Sequence, residues 1–537
     1  TFRGVAPSVI GTVRVSGSSS GSHAGVVRAD SDGDGASFIP KQPFTPGETV
    51  TVRTGLSVTG GGNGDFRFTI THPSALLKGG SLPKVPAHTG DLQHFRSRPD
   101  LVPPTVVVQG KAPAGQGDIF VAPQFGPAED GPMIIGPGGD LIWFRPTPIG
   151  RNVLSTDFRV QDLHGQPVLT WFQGGMNHGH GIGEGVILDQ HYHQVAVVHA
   201  GNGLKMDLHE FLVTPQGQAY IIAPSPVRLR GVKRPVIDDV VQEIDIKTGL
   251  VLFEWHSLDH IKLGESYVFG PKQPGHVLDP VHLNSICLDN DGNLVISARN
   301  TSTVYKVDHD TGAVLWQLGG KRSSFKMGAG TRTAFQHDAV VQPDGSITIF
   351  DDGAGPPRVH PSSRGIRVAL NLQTMTAGLV SAYQHSPALS ANFEGSTQTL
   401  SGGDVFLGWG QRQFFSEDDS SGHQVFDARF RAPTSSYRAY RFPWSAQPTT
   451  RPALAVTTGR GDEIITHESW NGATDISGWL VLSGSSPGSL RRTRSARKYK
   501  FESTITINNS AKYVQVQALG AHAKLLEESR VVSVPGR

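Results

Sequence analysis

The chain has 537 residues with 37% hydrophobic composition, too long for one compact core and apolar enough for several. Its 48 basic and 46 acidic residues leave a net charge of +2, which excludes the concentrated basic footprint of a nucleic-acid binder. One cysteine, Cys287, excludes an intrachain disulfide, and no apolar run reaches the roughly 20 residues of a membrane span.

Sixty-five glycines and 36 prolines, with few amphipathic helical stretches, predict an all-β chain of short strands and tight turns. Residues 1–110 read as an amino-terminal β-sandwich. Thr12–Val15, Thr49–Arg53 and Asp65–Ile70 alternate apolar and polar residues, separated by the loops Ser16–Ser22 and Asp30–Gly35. Residues 111–445 are repetitive. Gln242–Trp255 aligns with Tyr305–Leu318, each a strand, an Asp-x-x-Thr-Gly turn and a second strand. Hairpins recur at Leu212–Ala223, Ile286–Ala298 and Val340–Asp351, around Gly217, Gly292 and Gly345. Paired hairpins make four-stranded blades, and tandem blades predict a six-bladed β-propeller. Beyond the Ser445–Pro452 linker, residues 446–537 offer the strands Ala453–Thr458, Glu463–Ser469, Gly478–Leu482, Ser503–Ile507 and Tyr513–Ala518. They are expected to form a second sandwich of immunoglobulin or fibronectin-III type. Arg491, Arg492, Arg494 and Arg497 read as a solvated edge or loop. The absence of an initial Met, the single Cys and the Gly/Ser/Thr-rich strands fit a processed, secreted protein.

The histidines fall at equivalent places in the repeats. His209 and His337 each stand eight residues before the hairpin glycines Gly217 and Gly345, and His282 stands ten before Gly292. In a propeller the first strand of each blade lines the channel, so such positions converge at one mouth. Antiparallel pairing about the turns sets Arg299 near His282 and Asn284, and Asp351 and Asp352 near His337. A carboxylate beside an imidazole fixes its tautomer. Arginine and asparagine hold an anion. His178 and His180 add imidazoles from a glycine-rich loop. No cysteine joins them and no His-Glu-x-x-His occurs, so no metal ligands are assigned and no cofactor is expected to be required. Asp30–Gly35 resembles half of a calcium loop, with Lys41 where the closing glutamate would stand. It reads first as a turn, with a weak structural calcium site as the alternative, and zinc is the rival reading of the histidine cluster.

The runs Gly179–Asp189, Ala200–Leu204, Asp207–Phe211, His282-Leu-Asn-Ser285, Ser297-Ala-Arg-Asn300, Leu318–Lys321, Gln336-His-Asp338 and Ser436–Trp444 resemble, in this order, the actinobacterial and fungal branch of the PAPS-independent arylsulfotransferases. The resemblance covers roughly residues 98–444. It implies the six-bladed propeller with an amino-terminal sandwich, and transfer of a sulfuryl group between phenols through a sulfohistidine. Residue by residue it implies His337 as nucleophile, with His282, Asn284, Arg299 and His209 around the sulfuryl oxygens and the leaving phenoxide. Asp338, Asp352, Tyr437 and Arg438 join His178 and His180 as expected substrate-binding residues.

Two rival readings accompany this one. A polysaccharide lyase or glycoside hydrolase on the same scaffold would draw on Arg299 and Tyr437 or Tyr267, or on a carboxylate pair among Asp338, Asp351, Asp352 and Glu210. A non-catalytic glycan- or wall-binding protein would use the pocket for recognition alone. The expected partner is therefore a small phenol or a glycan, with neither nucleic acid nor a membrane span, and the sequence does not specify an oligomeric state.

Overall fold

The computed structural model describes residues 1–59, 61–62, 64–73, 85–110, 116–147, 152–270 and 277–536. These residues are almost entirely strand and turn; the one α-helix among them is the single turn Ser257–His260. None of their helices is long and apolar enough to cross a membrane. The sequence expectation of an all-β chain is met. The expected boundary at 110/111 falls on residues 111–115, outside the described residues.

The chain divides into two compact units. One contains Thr1–Ser81, Gln161–Ile187 and Ala196–Thr397; the other contains Leu82–Val160, Leu188–Val195 and Gln398–Arg537.

In the first unit, two small antiparallel sheets open the chain. One orders Phe2–Arg3, Gly35–Pro40 and Gly25–Ala29; the other orders Gly21–His23, Arg14–Gly17, Thr49–Arg53 and Asp65–Thr69. The alternation Thr49-Val50-Thr51-Val52-Arg53 sends both valines into a core with Phe2, Ile10, Val15 and Ala36. The aspartates of the calcium-like loop gather around a guanidinium: Arg3 lies 2.8 Å from Asp32, 3.4 Å from Asp30 and 3.9 Å from Asp34.

Three antiparallel sheets follow in this unit, each built from consecutive strands. They run Phe211–Val213 to Val251–His256, Leu283–Leu288 to Val314–Gly319, and His337–Val341 to Thr376–Tyr383. The last is extended by a parallel pairing with Lys326–Met327. The Asp-x-x-Thr-Gly repeat has a physical cause. Asp245 accepts from the Thr248 hydroxyl at 2.7 Å and Asp308 from the Thr311 hydroxyl at 2.7 Å. Gly249 and Gly312 then adopt φ of +70° and +71°, where a side chain would be strained. Each turn joins the third strand of its sheet to the fourth. Apolar residues on the sheet faces, among them Ile222, Val241, Ile286, Ile296 and Tyr305, build a continuous core.

In the second unit, Asp118–Gln124 pairs with both Met133–Ile135 and Ser435–Phe442. Val106–Gly110 adds to Gln424–Phe430. The carboxy-terminal residues form one sheet of Ala453–Thr458, Glu463–Ser469 and Glu502–Asn508 and another containing Arg491–Arg497, Gly478–Gly484, Tyr513–Leu519 and Leu525–Glu528. Trp470, Trp479, Val481, Ile505 and Val516 share one core between them. Arg491–Arg497 is an exposed edge strand, where charge protects open backbone groups.

Candidate active site

His209, His282 and His337 stand at or just before the first strands of three successive sheets of the first unit. His282 has φ +58° and Asp338 has φ +51°. The ladders slip between Leu283 and Ser285 and between His337 and Val340. Such bulges aim side chains away from the regular pleat, at a backbone cost the surroundings must offset.

His337 is 1% exposed. Its Nδ1 lies 2.7 Å from Asp352 Oδ2, and its Nε2 accepts the Glu394 backbone N–H at 3.2 Å. An N–H pointed at Nε2 requires a lone pair there, so the proton sits on Nδ1 and is donated to Asp352. Burial pushes the Asp352 carboxyl well above its usual range, against the pull of the Arg299 charge.

The other three imidazoles form a cluster. His282 lies 4.8 Å from both His180 and His209 between ring centroids, and the latter two are 6.3 Å apart. Asp279 Oδ2 takes His282 Nδ1 at 2.5 Å and His180 Nε2 at 3.1 Å. Asp207 takes His209 Nδ1 in a short contact. Asp239 Oδ2 accepts the backbone N–H groups of His282 at 2.8 Å and Leu283 at 3.2 Å, pinning the strained residue. Electrostatics separates the rings. Burial pulls His180 down, but Asp279, Asp207 and Asp239 outweigh it and raise it to about 10. Burial, reinforced by the neighbouring His180 and His209, lowers His282 to about 4 despite Asp279. Asp239 is pushed up by burial and by Asp279.

Arg299 connects the two groups. Its guanidinium lies 3.9 Å above the Phe335 ring centroid and donates to Asn300 Oδ1 at 3.0 Å and to the Asn392 carbonyl at 3.2 Å. Its charge is felt by both Asp352 and Asp279. Its backbone N–H reaches the His282 carbonyl at 2.9 Å, the neighbourhood expected from the hairpin. Arg299 thus offers one cation between a His–Asp pair and a three-histidine cluster.

The remaining expected residues divide. Asn284 is fully buried, and its Nδ2 donates to the Gln336 carbonyl at 2.8 Å, steadying the backbone just before His337. Asp338 accepts the Thr397 N–H at 2.9 Å. Asp351 accepts backbone N–H groups of Ala334 and Gly353, each at 3.0 Å, and pairs with Arg364 at 3.0 Å. His178 is exposed in the turn before His180. Tyr437 and Arg438 belong to the other compact unit, where Arg438 pairs with Asp157 at 2.8 Å. Sequence reasoning missed Asp279, Asp207, Asp239 and Glu394 as partners. Asp207 and Asp279 left a faint signal, preceding a candidate histidine by two and three residues; Asp239 and Glu394 left none.

The sequence profile of the Arylsulfotransferase (ASST) family matches residues 159–431, half of the chain. The chain belongs to the arylsulfotransferase family. The matched segment contains His180, His209, His282, Arg299 and His337, and ends before Tyr437 and Arg438. No curated protein matches the sequence. Among solved structures, a protein of unknown function from Bacteroides caccae is 13% identical, covers 60% of this chain and 97% of its own, and has a TM-score of 0.37. A catalytically inactive virginiamycin B lyase from Staphylococcus aureus, solved with quinupristin, is 9% identical, with coverages of 67% and 95% and a TM-score of 0.32.

Proposed function

We propose that this arylsulfotransferase-family chain moves a sulfuryl group from a phenolic sulfate ester to a phenolic acceptor, with His337 Nε2 as nucleophile. The observation that carries this reading is the His337 tautomer: Nδ1–H is committed to Asp352, leaving the lone pair on Nε2. In the first step the N–S bond forms as the S–O(aryl) bond breaks and the phenoxide departs. The resulting N-sulfonated imidazolium keeps its Nδ1–H on Asp352, and covalent capture divides one hard displacement into two easier ones. Arg299 neutralises the charge on the sulfuryl oxygens. The phenoxide takes its proton from the histidine cluster, where His180 is the ring held charged. In the second step the acceptor oxygen takes the sulfuryl group, its proton returns to the cluster, and His337 is restored. The attack requires Nε2 to exchange its hydrogen bond with Glu394 for contact with sulfur.

The reading keeps the six-bladed propeller as its architecture and an extracytoplasmic setting as its location. The carboxylates that a glycoside hydrolase would need are less available: Asp338, Asp351 and Glu210 all accept backbone N–H groups. The test is phenol release from an aryl sulfate without nucleotide. Release that rises with added phenolic acceptor supports sulfuryl transfer. Its absence across several donors, together with cleavage of a uronate-containing or neutral glycan, overturns it.

A further inference from the structure

His180, Asp279 and His282 bring one ligand atom each to within 4.8 Å of one another. Two imidazoles and a carboxylate need neither cysteine nor a His-Glu-x-x-His helix, so this grouping escapes both sequence patterns. We propose that His180 Nε2, His282 Nδ1 and Asp279 bind a divalent first-row transition-metal ion of zinc's class.

Three further features of the molecule support the site. Donors about 2.0–2.2 Å from one ion can stand up to about 4.4 Å apart, so small side-chain adjustments close the set on a cation. Both histidine nitrogens already face the same Asp279 oxygen, at 3.1 and 2.5 Å.

The second feature lies behind the ligands. His180 Nδ1 is buried without a hydrogen-bond partner and stands 4.0 Å from Asp207 Oδ1. A metal on Nε2 places the proton on Nδ1, opposite that carboxylate. Carboxylate support behind a ligating histidine is the common way its ring is oriented and made more basic. Asp207 is itself fixed by the Gly181 N–H and by His209.

The third is charge. Asp207, Asp239 and Asp279 lie together; the first two are 0% exposed. Buried charge is tolerated when paired or when it coordinates a metal. Asp239 Oδ1 has no hydrogen-bond partner, although Oδ2 is fully used by the backbone. A nitrogen-rich donor set favours first-row transition metals over calcium or magnesium. Metal and proton compete for the same imidazole nitrogens and carboxylate, and the bound ion would offer the departing phenoxide a Lewis acid in place of the His180 proton.

The site is testable without any transferase assay. The full chain, stripped with a chelator, is titrated with Zn²⁺ and with Co²⁺, and metal content is measured after gel filtration. The expected result is one equivalent per chain and visible d–d absorption from bound Co²⁺. Affinity should fall by at least about tenfold in Asp279→Asn and His180→Gln, and stay unchanged in His337→Asn. Should the two site variants fail to fold, X-ray absorption of the Co²⁺-loaded wild type decides, through the presence or absence of imidazole scattering. No uptake by the stripped wild type, unchanged affinity in a folded Asp279→Asn, or a Co²⁺ shell without imidazole overturns the proposal.

Discussion

Both compact units bury Arg–carboxylate pairs, Asp351 with Arg364 in the first, but the carboxylates of the candidate site have other partners. In the second unit, Arg438 and Arg159 share Asp157 at 2.8 and 3.2 Å, and Arg441 pairs with Glu417. In the first unit, Asp207, Asp279 and Asp352 are held by histidines, with Arg299 as the neighbouring cation of the last two. Guanidinium does not titrate near neutrality, so an Arg–carboxylate pair is a fixed structural element. An imidazole can gain or lose a proton, ligate a metal or attack an electrophile. The comparison teaches that the cation opposite a buried carboxylate distinguishes a strut from a site better than burial does.

The sharpest way to break this contrast is to exchange the roles. His337→Asn should abolish aryl sulfate turnover, by at least about a thousandfold, while leaving the denaturation midpoint near wild type; the two are read by kinetics and urea unfolding. Arg438→Met should do the reverse. It strands Asp157 beside Arg159 alone and should cost about 3–5 kcal/mol of stability, with little change in kcat for protein that remains folded. Asp352→Asn keeps the shape but replaces the carboxyl that holds Nδ1 with an amide. We expect kcat to fall about a hundredfold with KM nearly constant, and a pH–rate profile displaced from that of wild type.

A smaller effect sharpens the comparison inside the second unit. Glu468 is fully buried, and burial pushes it to about 8 against the hydrogen bond of Thr466. The fold prefers its protonated form. Its contribution is therefore complete below the unfolded carboxyl range and is lost as pH rises through about 8. Glu468→Gln should flatten the decline in melting temperature over that interval; an unchanged slope would show that Glu468 is not its source.

Much of this was legible in the sequence. The Asp-x-x-Thr-Gly repeat located two third-to-fourth strand hairpins, and distance from the Gly292 and Gly345 turns placed Arg299 beside His282 and Asp352 beside His337. Strand alternation found Thr49–Arg53 and Glu463–Ser469 with their observed bounds. What failed was contact between elements of different sheets. Asp239 reaches His282 from another sheet, and Glu394 reaches His337 from a loop, so neither leaves a local pattern. For Arg438, expected to bind substrate, the motif records residue type and not the partner; the structure shows Asp157 opposite it.

The most direct measurement of the central claim is the intact mass of the protein after incubation with an aryl sulfate, wild type beside His337→Asn. The account predicts one added sulfuryl group on wild type, discharged by a phenol, and none on the variant. An equal adduct on both proteins, or none on a wild type that turns over substrate, would contradict His337 as the nucleophile.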